Sequence, residues 1–114
     1  MESKIRDYYR YVDLEKWDSL FSLFSNEIVY NRPGHPPIVG IDNFRHFFLH
    51  VRTIKSSKHT LLAVVSNGYQ VAVHGMFRGM MKDGTSAEFG FADFFEFSHD
   101  KISKRYSFTT LGKV

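Results

Sequence analysis

The chain has 114 residues, 43% hydrophobic and 24% charged, a balance that predicts one globular domain over residues 1–114 whose core needs no covalent staple. It contains no cysteine, which excludes disulfides, thiol nucleophiles, iron–sulfur clusters and cysteine-based zinc sites. The formal charge of +3 comes from basic residues interleaved with acids from Lys4 to Lys113, the pattern of a solvated surface and not of a nucleic-acid partner.

No apolar run approaches the roughly 18 residues of a membrane span. The opening MESKIRDYYRYVD is charged throughout and carries no apolar leader core, so a cytoplasmic protein without a membrane partner is expected. Twelve phenylalanines raise the aromatic share to 17%, which predicts either an unusually aromatic core or rings that line a cavity.

In chain order, Ile5, Tyr8, Tyr9, Val12, Trp17, Leu20, Phe21 and Phe24 recur at three- and four-residue steps, the apolar stripe of a helix. Asp13 is expected to break it and to N-cap a second helical piece. EIVYNR, residues 27–32, reads as a short strand with Ile28, Tyr30 and Arg32 on one face, stopped by Pro33-Gly34-His35-Pro36-Pro37. Asn43 to Arg52 reads as a second helix capped by Asp42. From His59 onward the period changes to that of strands, with turns at Asn67-Gly68 (type I′ expected), Lys82-Asp83-Gly84 and Ser98-His99-Asp100. The order α-β-α-β-β-β-β predicts an α+β fold: a curved antiparallel sheet wrapped around N-terminal helices, with a ligand-sized cavity at its open end.

The strand from Thr85 to Phe97 carries the sharpest chemical signal. Strict alternation puts Asp93 on one face with Phe89, Phe91, Phe95 and Phe97. Desolvation there favours the neutral carboxyl and makes Asp93 a candidate proton-transfer group. The alternative is a bulge at Gly90, or a structural Asp held by an arginine or by backbone. The histidines point less clearly to chemistry. His46 and His50 have helical spacing but no third ligand, so no metal site is expected. His35 sits in a rigid loop able to aim an imidazole, His74 faces either a cavity or a partner, and His59 and His99 read as surface. No nucleophile elbow, phosphate loop or dinucleotide fingerprint is present, so no cofactor is expected. EFGFADFF superficially suggests an RNA-recognition strand, but it begins with Glu88 and follows the wrong element order.

The element order, the phrase RPGHPPIVG leading into a short helix ending in FF, and the late FADFFEF strand resemble the nuclear-transport-factor-2-like superfamily over about residues 3–110. The ketosteroid isomerase and SnoaL-like polyketide cyclase branch is the most similar. The resemblance implies a cystatin-like cone and a homodimer formed through the sheet face, where Phe94, Met76 and Tyr106 would lie. In ketosteroid isomerases a first-helix Tyr and a protonated late-strand Asp form an oxyanion hole, and an Asp just before the loop proline is the base. Tyr8, five residues before Asp13, and Asp93, four before Phe97, match the first two. The residue before Pro33 is Arg32, which cannot serve as that base.

The expected function is therefore acid–base chemistry, isomerisation or cyclisation, on a hydrophobic carbonyl compound. Asp93 and Tyr8 would be catalytic, and Arg32, His35, Trp17, Phe91 and Phe95 would bind substrate. Arg32 either pairs with Asp93 or meets a polar group of the ligand. Two alternatives stand beside this: a ligand-binding or dimeric scaffold protein without chemistry, and an epoxide hydrolase using an Asp-Arg-Asp set of which Arg32 and Asp93 would be two members.

Overall fold

The computed structural model describes residues 1–111. Helix α1 (Glu2–Asp13) buries Ile5, Tyr8, Tyr9 and Val12, the first part of the expected stripe. Helix α2 (Trp17–Ser22) buries Leu20 and Phe21 and runs directly into β1 (Phe24–Asn31). A two-residue strand β2 (Ile38–Val39) precedes α3 (Ile41–His46), which continues into one π-helical turn, Phe47–Val51. Four long strands follow: β3 (Ile54–Asn67), β4 (Gln70–Met81), β5 (Ser86–Ser98) and β6 (Lys101–Thr109). They form the expected antiparallel meander, and the single curved, unclosed six-stranded sheet has the order β2-β1-β6-β5-β4-β3. Strand β1 joins it parallel to β6, which closes the N-terminal segments against the C-terminal strand.

Three local expectations are corrected. Asp13 is the last residue of α1 and caps nothing; Lys16 occupies the N-cap of α2, and Asp13 turns its carboxylate toward β3. Asp42 lies inside the first turn of α3, whose N-cap is Gly40 at φ 87. In the β3–β4 turn only Gly68 takes positive φ (59), the pattern of a type II′ turn with glycine at its first central position. The type I′ pattern occurs instead at β5–β6, where His99 (φ 51) and Asp100 (φ 66) are both left-handed. Lys4 holds this strained corner, its Nζ donating to the Asp100 carbonyl at 2.7 Å and meeting the Asp100 carboxylate at 2.8 Å.

The aromatic surplus is packed mainly in the core. Phe24 and Phe44 lie 4.5 Å apart between ring centres, and Phe77 stacks on Phe89 at 4.6 Å. The π-turn is closed by the Arg52 amide donating to the Phe47 carbonyl at 2.8 Å, and both Phe47 and its neighbour Phe48 are buried. On the concave face of the sheet Gly75 leaves room for a ring: a Cβ there would come within 2.6 Å of Phe91. That missing side chain lets the aromatic lining lie flat against β4.

Candidate functional site

Alternation along β5 holds without a bulge at Gly90. Phe89, Phe91, Asp93, Phe95 and Phe97 are all buried, and Asp93 is 2% exposed. The carboxylate faces α1 and β6. Tyr9 donates its hydroxyl to Asp93 Oδ2 in a short hydrogen bond, and Arg105 Nη2 donates to the same oxygen at 3.0 Å. Burial alone works against the charge on Arg105; Asp93, with Tyr30, Tyr8 and Tyr9, outweighs it and holds the guanidinium well above its ordinary pKa. The guanidinium is also sandwiched between Tyr8 and Tyr30, 4.8 and 4.5 Å from the ring centres.

Arg105 is a site residue that sequence reasoning did not single out. Ile102 and Arg105, three residues apart, are both buried, which strict alternation does not allow. The β5–β6 pairing shifts between Glu96↔Lys104 and Phe97↔Ile102, leaving Ser103 as an extra residue that reverses the parity. Arg105 thereby faces inward and takes the place beside Asp93 that was open to Arg32. Tyr9 was likewise passed over for Tyr8. Both are buried, and their rings meet edge-on at 4.9 Å.

A cavity of about 420 Å³ opens beside this network, within the range of small-molecule sites. It brings together Tyr8, Arg32, His35, Phe91 and Asp93 from the predicted set. Two predicted lining residues lie elsewhere. Phe95 packs beneath Tyr8, Tyr9 and Arg105 in the core, and Trp17 stacks near Phe48 beside a separate surface hollow with Lys16, Arg45 and Leu49. Trp17 sits on α2, which the break after α1 displaces from the mouth. Tyr8 is held above its ordinary pKa, chiefly by burial, so its phenol stays protonated and able to donate.

His59 also lines the cavity, against its expected place on the surface. Its ring touches Tyr9, Phe77 and Phe91, and its side chain is 11% exposed. Asp13 holds it from behind: Oδ1 lies 2.6 Å from Nδ1, and Oδ2 accepts the His59 amide at 2.8 Å. Ser57 Oγ donates to Oδ1 at 2.8 Å. Burial opposes the Asp13 charge, but the bonds from His59 and Ser57 prevail and lower its pKa. An ionised carboxylate only accepts, so Nδ1 carries the hydrogen, and in the neutral ring Nε2 is left as the basic nitrogen. The only sequence signal was the period: His59 shares the inward face of β3 with Ser57 and Leu61.

Of the remaining histidines only His46 and His50 meet, their ring centres 5.2 Å apart on the helix surface. His46, His50 and His74 are exposed, and no group of three or more His, Asp or Glu able to hold a metal occurs among the described residues. Among the described residues no helix is long and apolar enough to cross a membrane.

A curved, unclosed sheet around N-terminal helices is the fold of nuclear-transport-factor-2-like proteins, and the solved structures agree. The fold matches an LEH-like epoxide hydrolase from M. tuberculosis with a TM-score of 0.85 at 12% identity, over 96% of this chain and 82% of that one. It matches a protein of unknown function from Exiguobacterium with a TM-score of 0.79 at 24% identity, over 90% and 94% of the two chains. A protein from Catenulispora acidiphila with a ketosteroid isomerase-like fold, in complex with trimethylamine, matches with a TM-score of 0.83 at 14% identity, over 96% and 87%. The SnoaL-like domain model matches residues 5–105, and the chain belongs to that family. No curated protein sequence matches it significantly.

Proposed function

We propose that this chain is an enzyme performing acid–base chemistry, an isomerisation or a cyclisation, on a hydrophobic carbonyl compound bound in the cavity. One observation carries the reading: Tyr8 and Asp93, from opposite ends of the chain, line the same aromatic cavity. Among the described residues both side-chain donors to Asp93, Tyr9 and Arg105, fall on Oδ2, so Oδ1 is the oxygen suited to take a proton from carbon next to the substrate carbonyl. The enolate oxygen so formed accepts from the Tyr8 phenol. The proton then returns to another carbon, or the enolate carbon attacks a second carbonyl and closes a ring, and the new alkoxide oxygen takes the proton back from Asp93. His59, held by Asp13, is a second proton carrier on the same wall.

Exchange of α-hydrogens for deuterium tests this directly. With 2-tetralone in D2O, followed by NMR, the protein should accelerate exchange, and Asp93→Asn and Tyr8→Phe should each slow it by about 100-fold or more. Exchange unaffected by either substitution would remove both residues from the chemistry.

Arg32, standing where the resemblance calls for a base, favours the competing reading of a binding protein without chemistry; tight ligand binding without exchange would establish it. The Asp93–Arg105 pair supplies two members of an epoxide hydrolase's Asp-Arg-Asp set, but Asp93 is the only carboxylate among the described cavity-lining residues. Homodimerisation through the outer sheet face is part of the proposal. Phe94 (48% exposed) and Phe108 (56%) meet there at 5.9 Å, Met76 is also exposed, and Tyr106 is half-buried. Sedimentation of a monomer at micromolar concentration would refute it.

A further inference from the structure

The cavity walls carry an unbalanced charge. Three guanidiniums line them, from Arg32, Arg52 and Arg105, against the single carboxylate of Asp93. Asp93 is already engaged by Arg105. Asp13, the carboxylate within electrostatic reach of Arg52, is engaged by His59 and Ser57. Among the described residues neither Arg32 nor Arg52 has an acidic partner. They are surplus cations.

Water does not solvate them as it would on an open surface. Desolvation pulls both guanidiniums below their ordinary pKa. Each leans on a ring of the π-turn, Arg32 at 4.3 Å from the Phe47 centre and Arg52 at 5.5 Å from that of Phe48, which offsets only part of the cost. Arg52 and Arg105 are electrostatic neighbours of each other, and Tyr30 is a neighbour of all three arginines. The buried polar atoms without a partner among the described residues, Arg32 Nε, Arg105 Nε and Thr109 Oγ1, all belong to cavity-lining side chains. Such groups are rarely left unpaired in a finished interior. The feature that would complete them is a negatively charged acceptor attached to an apolar body.

We infer that the ligand of this cavity is an amphipathic organic anion, a hydrophobic or aromatic carboxylate whose head is held by Arg32 and Arg52 while its body lies against Phe77, Phe89 and Phe91. The planar fork of a guanidinium matches a carboxylate better than any other acceptor of this size. The inference rests on the cavity reading above and narrows it: the carbonyl compound also bears a carboxylate.

Two probes of nearly equal shape isolate the charge, 1-naphthaleneacetate and its neutral amide, 1-naphthaleneacetamide, titrated calorimetrically at pH 7. The carboxylate should bind about tenfold tighter or better. In Arg32→Gln/Arg52→Gln protein that preference should fall to about threefold or less. Equal binding of the two probes by the unaltered protein overturns the inference without requiring any variant to fold. So does binding of neither at millimolar concentration, or a preference that survives both substitutions. Equal binding would leave the carbonyl chemistry standing, because deuterium exchange into 2-tetralone, a neutral ketone, reads that independently.

Discussion

Two groups of charge lie on the walls of one cavity, and they are built on opposite terms. Around Asp93 every charge is answered: Arg105 pairs with it, Tyr9 donates to it, and the guanidinium is held between Tyr8 and Tyr30. Around the π-turn nothing answers: Arg32 and Arg52 rest on Phe47 and Phe48 with no acid among the described residues beside them. A closed ion pair rigidifies a site and is costly to break; an open cation costs stability until a ligand arrives. The first group reads as fixed machinery, the second as the place left for the guest.

The largest test of that contrast is to open the closed side. Arg105→Met strands a buried carboxylate and should cost about 3–5 kcal/mol in urea unfolding, whereas Asp93→Leu with Arg105→Met should recover most of the loss. Equal losses in single and double variants would mean that the pair is not an isolated unit. Tyr9→Phe removes one donor from the same carboxylate and should cost about 1–3 kcal/mol, measured in the same way. On the open side the sign should reverse. Arg52→Met removes an unanswered cation, and the ligand-free protein should gain on the order of 1 kcal/mol, read as a higher Tm. A clear loss would show that Arg52 is already satisfied and would erase the difference between the two regions.

The smallest effect concerns Asp13, whose pKa is lowered in the fold. Its contribution is fully present above the ordinary carboxylate value of 3.8 and is lost as pH falls from there through the depressed folded value. Stability measured against pH should therefore fall less steeply at the acid end in Asp13→Asn than in the unaltered chain. An unchanged acid limb would show that the His59 contact is not maintained in solution.

Much of the fold was legible because it rests on local periods. The meander, the helical stripe of α1 and the inward face shared by Asp93 and the β5 phenylalanines follow from side-chain alternation and turn residues. The inward face of Ile28, Tyr30 and Arg32 did so too, with Ile28 and Tyr30 buried and Arg32 on the cavity wall. Trp17 lies beyond the turn at Glu15 (φ 55), on the separate helix α2 and beside a hollow apart from the cavity, a placement that the apolar stripe alone does not record.

What the amino-acid order determined by itself was which residues share a face, since a strand or helix period needs only neighbours along the chain. Which partners meet across elements was decided by tertiary structure alone. The extra residue Ser103 turns Arg105 toward Asp93, the end of α1 brings Asp13 behind His59, and the π-turn sets Phe47 and Phe48 under two arginines. Each depends on a register shift or a helix end, a difference of one residue that a periodic pattern does not record and that only the packing of the whole chain resolves.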